Sequence, residues 1–172
     1  MGLGSYYANL FQLGYVAKDL DRAIALLEKK LGASGFAVAE YKIPVEFRGK
    51  TRDLAMRVAM GNARDHQIEV IQPLSGAVEH YREGIDFDRS TVVFHHVGLV
   101  VPGAVDAWHA MEEQVHASGD EFTVKFASDH DPNFQVRFAY VDTRAHYGHY
   151  TEYLWWSVGA KAGNQHIPDL AR

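Results

Sequence analysis

Apolar residues fall in short runs of strand length along most of this chain, and twice they switch to the spacing of a helix. Residues 10–17 form the first run. Asp19 then stands as a helix cap, Leu20, Ala23, Ile24, Leu27 and Leu31 recur at helical spacing, and Gly32 closes the segment. Three further strands are predicted over 36–43, 52–60 and 66–72, with a turn region at 44–50, a hairpin connection at 60–65 and Pro73 as terminus. After a short helix and linker over 75–88 the order repeats. A strand over 92–101 leads into a helix face of Ala104, Ala107, Trp108, Met111 and Val115, then strands over 121–126, 134–141 and 149–156. The predicted fold is α+β: two tandem βαβββ modules forming a curved, cup-like mixed sheet with the helices outside. The modules span 1–78 and 92–158, joined by a linker over 79–91 and followed by a small polar tail over 159–172.

Polar residues inside the strands repeat with the modules. Gln12 and His96 lie 84 positions apart, and Glu69 and Glu152 lie 83 apart, in the first and last strands of each half. An ionised carboxylate in an apolar strand is costly unless it is paired or bound to a cation. A salt bridge to Arg57 or Arg137 would explain either glutamate singly; four matched residues at equivalent positions argue for a metal site instead. Strand alternation assigns His96, and not His95, to the side of Gln12. One amide oxygen, two carboxylates and one imidazole suit a divalent ion such as Zn, Ni, Co, Mn or Fe without choosing among them. Such an ion would leave positions for a small-molecule substrate while a neighbouring carboxylate moves a proton, a role assigned to Glu152 and secondarily to Glu69.

Composition narrows the classes further. Hydrophobic residues make up 47% of the chain, enough for a packed core. Seventeen Lys and Arg against 22 Asp and Glu give a net charge of −5 with no basic run, so no nucleic-acid partner is expected. No apolar stretch reaches membrane-spanning length, and residues 1–6 lack the features of a secretion signal. Cysteine is absent, which removes disulfides and thiolate ligands. The simplest expectation is a soluble, cytoplasmic protein, with a homodimer built through helices or sheet edges.

Other groups attract attention by position. His149 and Tyr150 precede Glu152 in a polar segment over 142–150, and both are candidate substrate contacts. The aromatic residues Tyr153, Trp155, Trp156, Phe134 and Phe138 read as sheet core, and Trp108 and Met111 as helix core. His66, His80, His109, His116, His130 and His166 show no pairing and are expected on the surface. Residues 47–50 form the best local basic spot, expected as a solvated turn.

From residue 10 to 156 the chain resembles the vicinal oxygen chelate superfamily, which includes glyoxalases, methylmalonyl-CoA epimerases and extradiol dioxygenases. The resemblance rests on residues 12–21, 68–74, 95–98 and 151–154. It implies paired βαβββ modules with metal ligands on their first and last strands, and an isomerase or lyase that moves a proton next to a carbonyl. The order Gln12, Glu69, His96, Glu152 is similar to that of zinc-type glyoxalase I, where the last carboxylate serves as base. Val16 and Pro73 stand where that enzyme's glutathione-binding arginine and asparagine would be. Epimerases usually begin with histidine, and extradiol dioxygenases use two histidines and one carboxylate; Gln12 departs from both. Ring-cleaving dioxygenase chemistry and metal-free binding of a small molecule or drug are the alternative implications.

Overall fold

In the computed structural model, which describes residues 3–128, 130–131 and 133–162, eight strands close into a barrel. The fold is mixed α+β. In chain order the elements are β1 (Leu10–Val16), α1 (Leu20–Leu31), β2 (Ser34–Phe47), β3 (Lys50–Ala63) and β4 (His66–Gly76). They are followed by β5 (Val93–Val100), α2 (Val105–Ala117), β6 (Phe122–Ser128), β7 (Val136–Val141), α3 (Arg144–Tyr147), β8 (Tyr150–Trp156) and α4 (Val158–Ala162). A 3-10 segment at Leu3–Asn9 precedes β1, and a single 3-10 turn at Glu79–Tyr81 follows β4. Residues 163–172, including His166 and most of the expected tail, lie outside the described residues.

Sheet order is β1-β4-β3-β2-β6-β7-β8-β5. Two parallel pairs, β1 with β4 and β5 with β8, flank the antiparallel contact of β1 with β5. Four adjacent strands therefore carry Gln12, Glu69, His96 and Glu152. The opposite seam is short: among the described residues β2 and β6 meet only at Glu46↔Lys125 and Phe47↔Val124.

Local chemistry sets these elements. Asp19 caps α1 by accepting from the Arg22 backbone N–H at 3.0 Å, and Gly32 ends it in the left-handed conformation at φ 65°. Leu20, Ala23 and Leu27 turn inward onto Ala59, Ile68 and Val70, the outer faces of β3 and β4; each buried leucine contributes roughly 1.5–3 kcal/mol. Trp108, Met111 and Val115 dock α2 on Val97, Leu99, Ala139 and Tyr153 in the same way. Both helices thus lie outside the sheet, and the barrel interior is left to a third cluster around Val45, Leu54, Met56, Ile71, Val124 and Tyr140.

Several expected boundaries shift. The turn region at 44–50 contracts to Arg48 and Gly49, both at positive φ (48° and 75°), the two-residue hairpin turn that matches strand twist. Pro73 does not end β4, which runs to Gly76. β1 has already left the pairing at Ile71, so the proline sits on an edge, and the register with β3 slips there from Met56↔Pro73 to Ala55↔Ser75. Leu31 and Phe134 are exposed instead of core. No described helix is long and apolar enough to cross a membrane.

Candidate metal centre

Cross-strand partners share a sheet face, so register decides which side chains can meet. Two rows cross the four strands. One is Tyr150–His96–Gly14–Glu69, and the other is Glu152–Gly98–Gln12–Gln67, in each case over β8, β5, β1 and β4. In both rows a glycine stands beside the candidate ligand of the neighbouring strand. A Cβ on Gly14 would lie 1.9 Å from the His96 ring, and one on Gly98 would lie 2.6 Å from Gln12 Oε1. The glycines let the two side chains cross between β1 and β5. Their signal in the sequence is their position, two residues after each ligand candidate in Gln12-Leu13-Gly14 and His96-Val97-Gly98.

The result is a tight cluster. Ligand atoms of Glu69, His96 and Glu152 all lie within 4.8 Å of one another. His96 Nε2 is 3.2 Å from Glu69 Oε2 and 3.3 Å from Glu152 Oε2. Gln12 Nε2 donates to Gln67 Oε1 at 2.6 Å, which leaves Gln12 Oε1 bare. All four residues are buried, and Gln12 Oε1, Glu69 Oε2, His96 Nε2 and Glu152 Oε2 find no hydrogen bond outside their own group. Arg57 does not serve Glu69; it binds Gln72 and Asp21 outside the barrel. Four donor atoms of these types in one buried group fit a divalent cation, which would neutralise the carboxylates and complete every valence.

The backing of His96 differs from the expectation. Alternation placed His95 on the opposite face, yet its ring stacks on Tyr150 at 4.7 Å and its Nδ1 lies 3.0 Å from His96 Nδ1. A β-bulge is the reason: the register passes from Gly14↔His96 to Tyr15↔Phe94, so His95 is the extra residue and turns inward. Its Nε2 lies 3.1 Å from the His80 carbonyl, which can only accept. Burial and the His96 charge hold His95 well below the usual imidazole range, so it is neutral. With Nε2–H committed to that carbonyl, His95 Nδ1 accepts and His96 Nδ1 donates. His96 Nε2 is thereby the atom turned toward the carboxylates.

Electrostatics follow the same geometry. Burial alone would lower His96, but the Glu152 charge and the contacts with Glu152 and Glu69 outweigh it and lift the imidazole to about 9. Burial raises Glu152, with the His96 charge opposing. Tyr140, across from Glu152 in the β7–β8 register, is pushed well up by burial and by the Glu152 charge.

Of the predicted substrate contacts, Tyr150 shares the His96 row and its hydroxyl is buried without a partner. His149 is set apart from the cluster, its Nδ1 donating to the Tyr150 carbonyl at 2.8 Å and its ring against Phe94 and Tyr147. Residues 47–50 are not a free turn either, since Arg48 pairs with Glu83 at 2.7 Å. Sequence reasoning missed His80, which is fully buried instead of on the surface. Its ring packs on Tyr81 at 3.7 Å and near Tyr140 at 5.4 Å, and burial holds it down to about 3. No periodicity marked it, because it enters the core from an irregular connection.

A family model for the glyoxalase/bleomycin resistance protein/dioxygenase superfamily matches residues 11–136. The chain belongs to this superfamily. The match takes in Gln12, Glu69 and His96 and stops before Glu152. No curated protein sequence matches the chain. Among solved structures, methylmalonyl-CoA epimerase from Mycobacterium tuberculosis is similar with a TM-score of 0.56 and 18% identity, over 91% of this chain and 92% of that one. A variant of the Streptomyces coelicolor epimerase in complex with 2-nitronate-propionyl-CoA gives 0.51 and 15%, over 87% and 97%. A hypothetical protein from Bacillus halodurans gives 0.51 and 15%, over 85% and 92%. At these identities the likeness concerns the fold.

Proposed function

We propose that this superfamily member is a divalent-metal-dependent isomerase or lyase that moves a proton next to a carbonyl of a small molecule. Gln12, Glu69, His96 and Glu152 would hold the ion, as the ends of two βαβββ modules brought together by the β1–β5 contact. The observation that carries this reading is the set of four buried donor atoms on four neighbouring strands that find no hydrogen bond outside their own group. A bound divalent ion there supplies Lewis-acid stabilisation of charge developing on a substrate oxygen.

Glu152 is the proton carrier in this scheme. Its carboxyl has a raised pKa from burial, which brings it toward the range in which a group both takes and returns a proton. Glu69 occupies the matching position and is the secondary candidate. His96, held through His95, keeps its orientation while charge moves. Tyr150, whose ring stacks on His95 at 4.7 Å and whose hydroxyl is unpartnered, is a candidate to bind a substrate oxygen. The fold shared with epimerases supports proton transfer at a carbon next to a carbonyl.

Elemental mass spectrometry on the untagged protein tests the site, with the Glu69→Gln/His96→Ala double variant as control. About one equivalent of divalent metal per chain, lost in the variant, is the expected outcome. Equal metal content in both overturns the ligand set. For the reaction, metal-loaded protein in deuterium oxide should introduce deuterium next to the carbonyl of its substrate, and Glu152→Gln should lose this exchange with its metal retained. Undiminished exchange in that variant removes Glu152 from the role of base.

A further inference from the structure

Arg144 opens the short helix α3, at the barrel end where β7 gives way to β8, and its side chain is 35% exposed. Its guanidinium makes three kinds of contact at once. It binds Asp142 through two bonds, Nε to Oδ1 at 2.8 Å and Nη2 to Oδ2 at 2.6 Å. It donates from Nη1 to the Glu83 carbonyl at 3.3 Å and from Nη2 to Glu83 Oε2 at 3.4 Å. Its flat face covers the Tyr150 ring, with Cζ 4.6 Å from the centroid. A planar fork can do all three together; a lysine ammonium cannot.

Two routes lead inward from these contacts, and both end on His95. The first is a column: Arg144 lies on Tyr150, and Tyr150 stacks on His95 at 4.7 Å with 22° between the planes. The second runs through the connection between the modules. Glu83 is tied to α3 by Arg144 and to the β2–β3 turn by Arg48, at 2.7 Å. Glu79 is tied to Arg52 on β3 at 2.6 Å. Between these anchors His80 and Tyr81 are buried inside the barrel end. This placement brings the His80 carbonyl to 3.1 Å from His95 Nε2, and Tyr81 packs against the same imidazole with ring centroids 5.2 Å apart.

An exposed ion pair contributes little to stability by itself, so the weight of Arg144 lies in what it orients. His95 is held at one nitrogen by the His80 carbonyl, on one face by Tyr150, and presents its other nitrogen to His96 Nδ1 at 3.0 Å. A shift of Tyr150 or of the His80 backbone turns the ring and withdraws that nitrogen from His96. Arg144 touches both supports, so each contact in the series fixes the next.

We propose that Arg144 is a positioning residue of the metal centre: from the barrel end it sets the orientation of His95, and through His95 that of His96. Binding of an ion at His96 rests on the reading above; the orientation of the imidazole pair does not.

A double-mutant cycle of Arg144→Ala and His95→Phe tests this on the full chain, with zinc affinity read by competition with a chromophoric chelator. Arg144→Ala should weaken zinc about tenfold, the low end of the range for outer partners of a metal-bound histidine. With His95→Phe already present, the same substitution should change affinity less than about twofold, because the residue it acts through is gone. Equal losses in both backgrounds, which a merely structural role would give, overturn the proposal. Arg144→Lys keeps the charge without the planar fork and should weaken zinc nearly as much as Arg144→Ala. A lysine variant that binds zinc as the parent does would assign the effect to net charge and also overturn it. In metal-free protein with 15N-labelled histidine, the contact between the two Nδ1 atoms should give a 15N–15N coupling across the hydrogen bond that Arg144→Ala loses. A coupling unchanged in Arg144→Ala overturns the proposal. If Arg144→Ala loses the coupling while the parent takes up no zinc, the metal reading fails and the positioning of the pair stands.

Discussion

The rows Tyr150–His96–Gly14–Glu69 and Gln67–Gln12–Gly98–Glu152 are built alike, and they differ in what stands behind the central side chain. Each combines one glutamate, one gap-making glycine and one side chain crossing between β1 and β5. His96 is backed by a second imidazole whose far nitrogen is bound to the His80 carbonyl, whereas Gln12 is backed by a single amide, Gln67. In both, the backing group takes the donor side of the central residue and leaves its acceptor atom facing the carboxylates. Equivalent register positions therefore need not carry the same residue to deliver the same kind of atom, one that offers a lone pair to an ion once the His96 proton is displaced. The imidazole row is the more strongly held, because its support ends on backbone.

The sharpest way to break the likeness is to fill the gaps. A Cβ on Gly14 would overlap the His96 imidazole from 1.9 to 2.3 Å, and that ring is fully buried with no space to retreat. A Cβ on Gly98 would meet Gln12 Oε1 at 2.6 Å, which can rotate away, and Gln12 Cβ at 2.8 Å, which a small shift of the strand must relieve. Gly14→Ala should cost roughly 3 kcal/mol or more of stability and abolish metal uptake; Gly98→Ala should cost about 1–2 kcal/mol. Denaturant unfolding combined with metal analysis checks both, and equal penalties would show that the crossings are equivalent after all.

Next in size is the support of the imidazole. His95→Phe keeps the ring volume but removes both nitrogens, leaving His96 Nδ1 and the His80 carbonyl unpaired. Zinc affinity should fall about 10–100-fold, the usual range for a lost partner of a metal-bound histidine. His95→Gln, which can still bridge donor and acceptor, should recover part of that loss. In 15N spectra of the metal-loaded protein, His96 should carry its proton on Nδ1 in the parent and lose that preference in His95→Phe. A parent His96 protonated on Nε2 would contradict the hydrogen-bond order derived from the His80 carbonyl.

What the amino-acid pattern reveals is the content of single strands and helices. The cap at Asp19, the buried face of α1 and the matched offsets of Gln12 with His96 and Glu69 with Glu152 are all local or nearly so. What it hides is the slip between strands. Alternation put His95 on the far face because nothing in the run Phe94-His95-His96-Val97 shows that Tyr15 pairs with Phe94 and Gly14 with His96. The burial of His80 is equally silent, since its segment has no period and its neighbours Tyr140 and Tyr150 are some 60 to 70 residues away in sequence. Phe134 opens the strand predicted over 134–141 and yet stands exposed, because β7 begins only at Val136.

Titration offers a smaller and reversible perturbation, centred on His96. In the metal-free protein His96 is raised to about 9, against about 6.5 in an unfolded chain. Below pH 6.5 both states hold the proton and the contribution of the pair to stability is complete. As pH rises toward 9 the unfolded chain releases its proton first, so stability falls, by up to about 1.4 kcal/mol per unit. Unfolding midpoints of the metal-free protein should therefore drop across this window, and His96→Gln should remove the slope. Metal uptake has the opposite sense, because the ion displaces this proton: affinity should rise by up to about tenfold per unit until pH 9. A slope that survives in His96→Gln would assign the proton to another group.

The smallest expected effect belongs to the amide row. Gln67→Met fills a similar volume and removes the oxygen that accepts from Gln12 Nε2 at 2.6 Å. Gln12 can then turn its amide, and its oxygen is no longer held toward the carboxylates. A neutral oxygen contributes less to a divalent site than an imidazole, and Gln67 is itself a side chain on a strand instead of a link to backbone. Zinc affinity should fall only several-fold, well short of the loss in His95→Phe. Isothermal titration calorimetry on the two variants under one buffer measures the difference directly. A loss in Gln67→Met as large as that in His95→Phe would mean that the amide orientation is as important to the ion as the imidazole, and the asymmetry between the rows would then lie only in the chemistry of their donors.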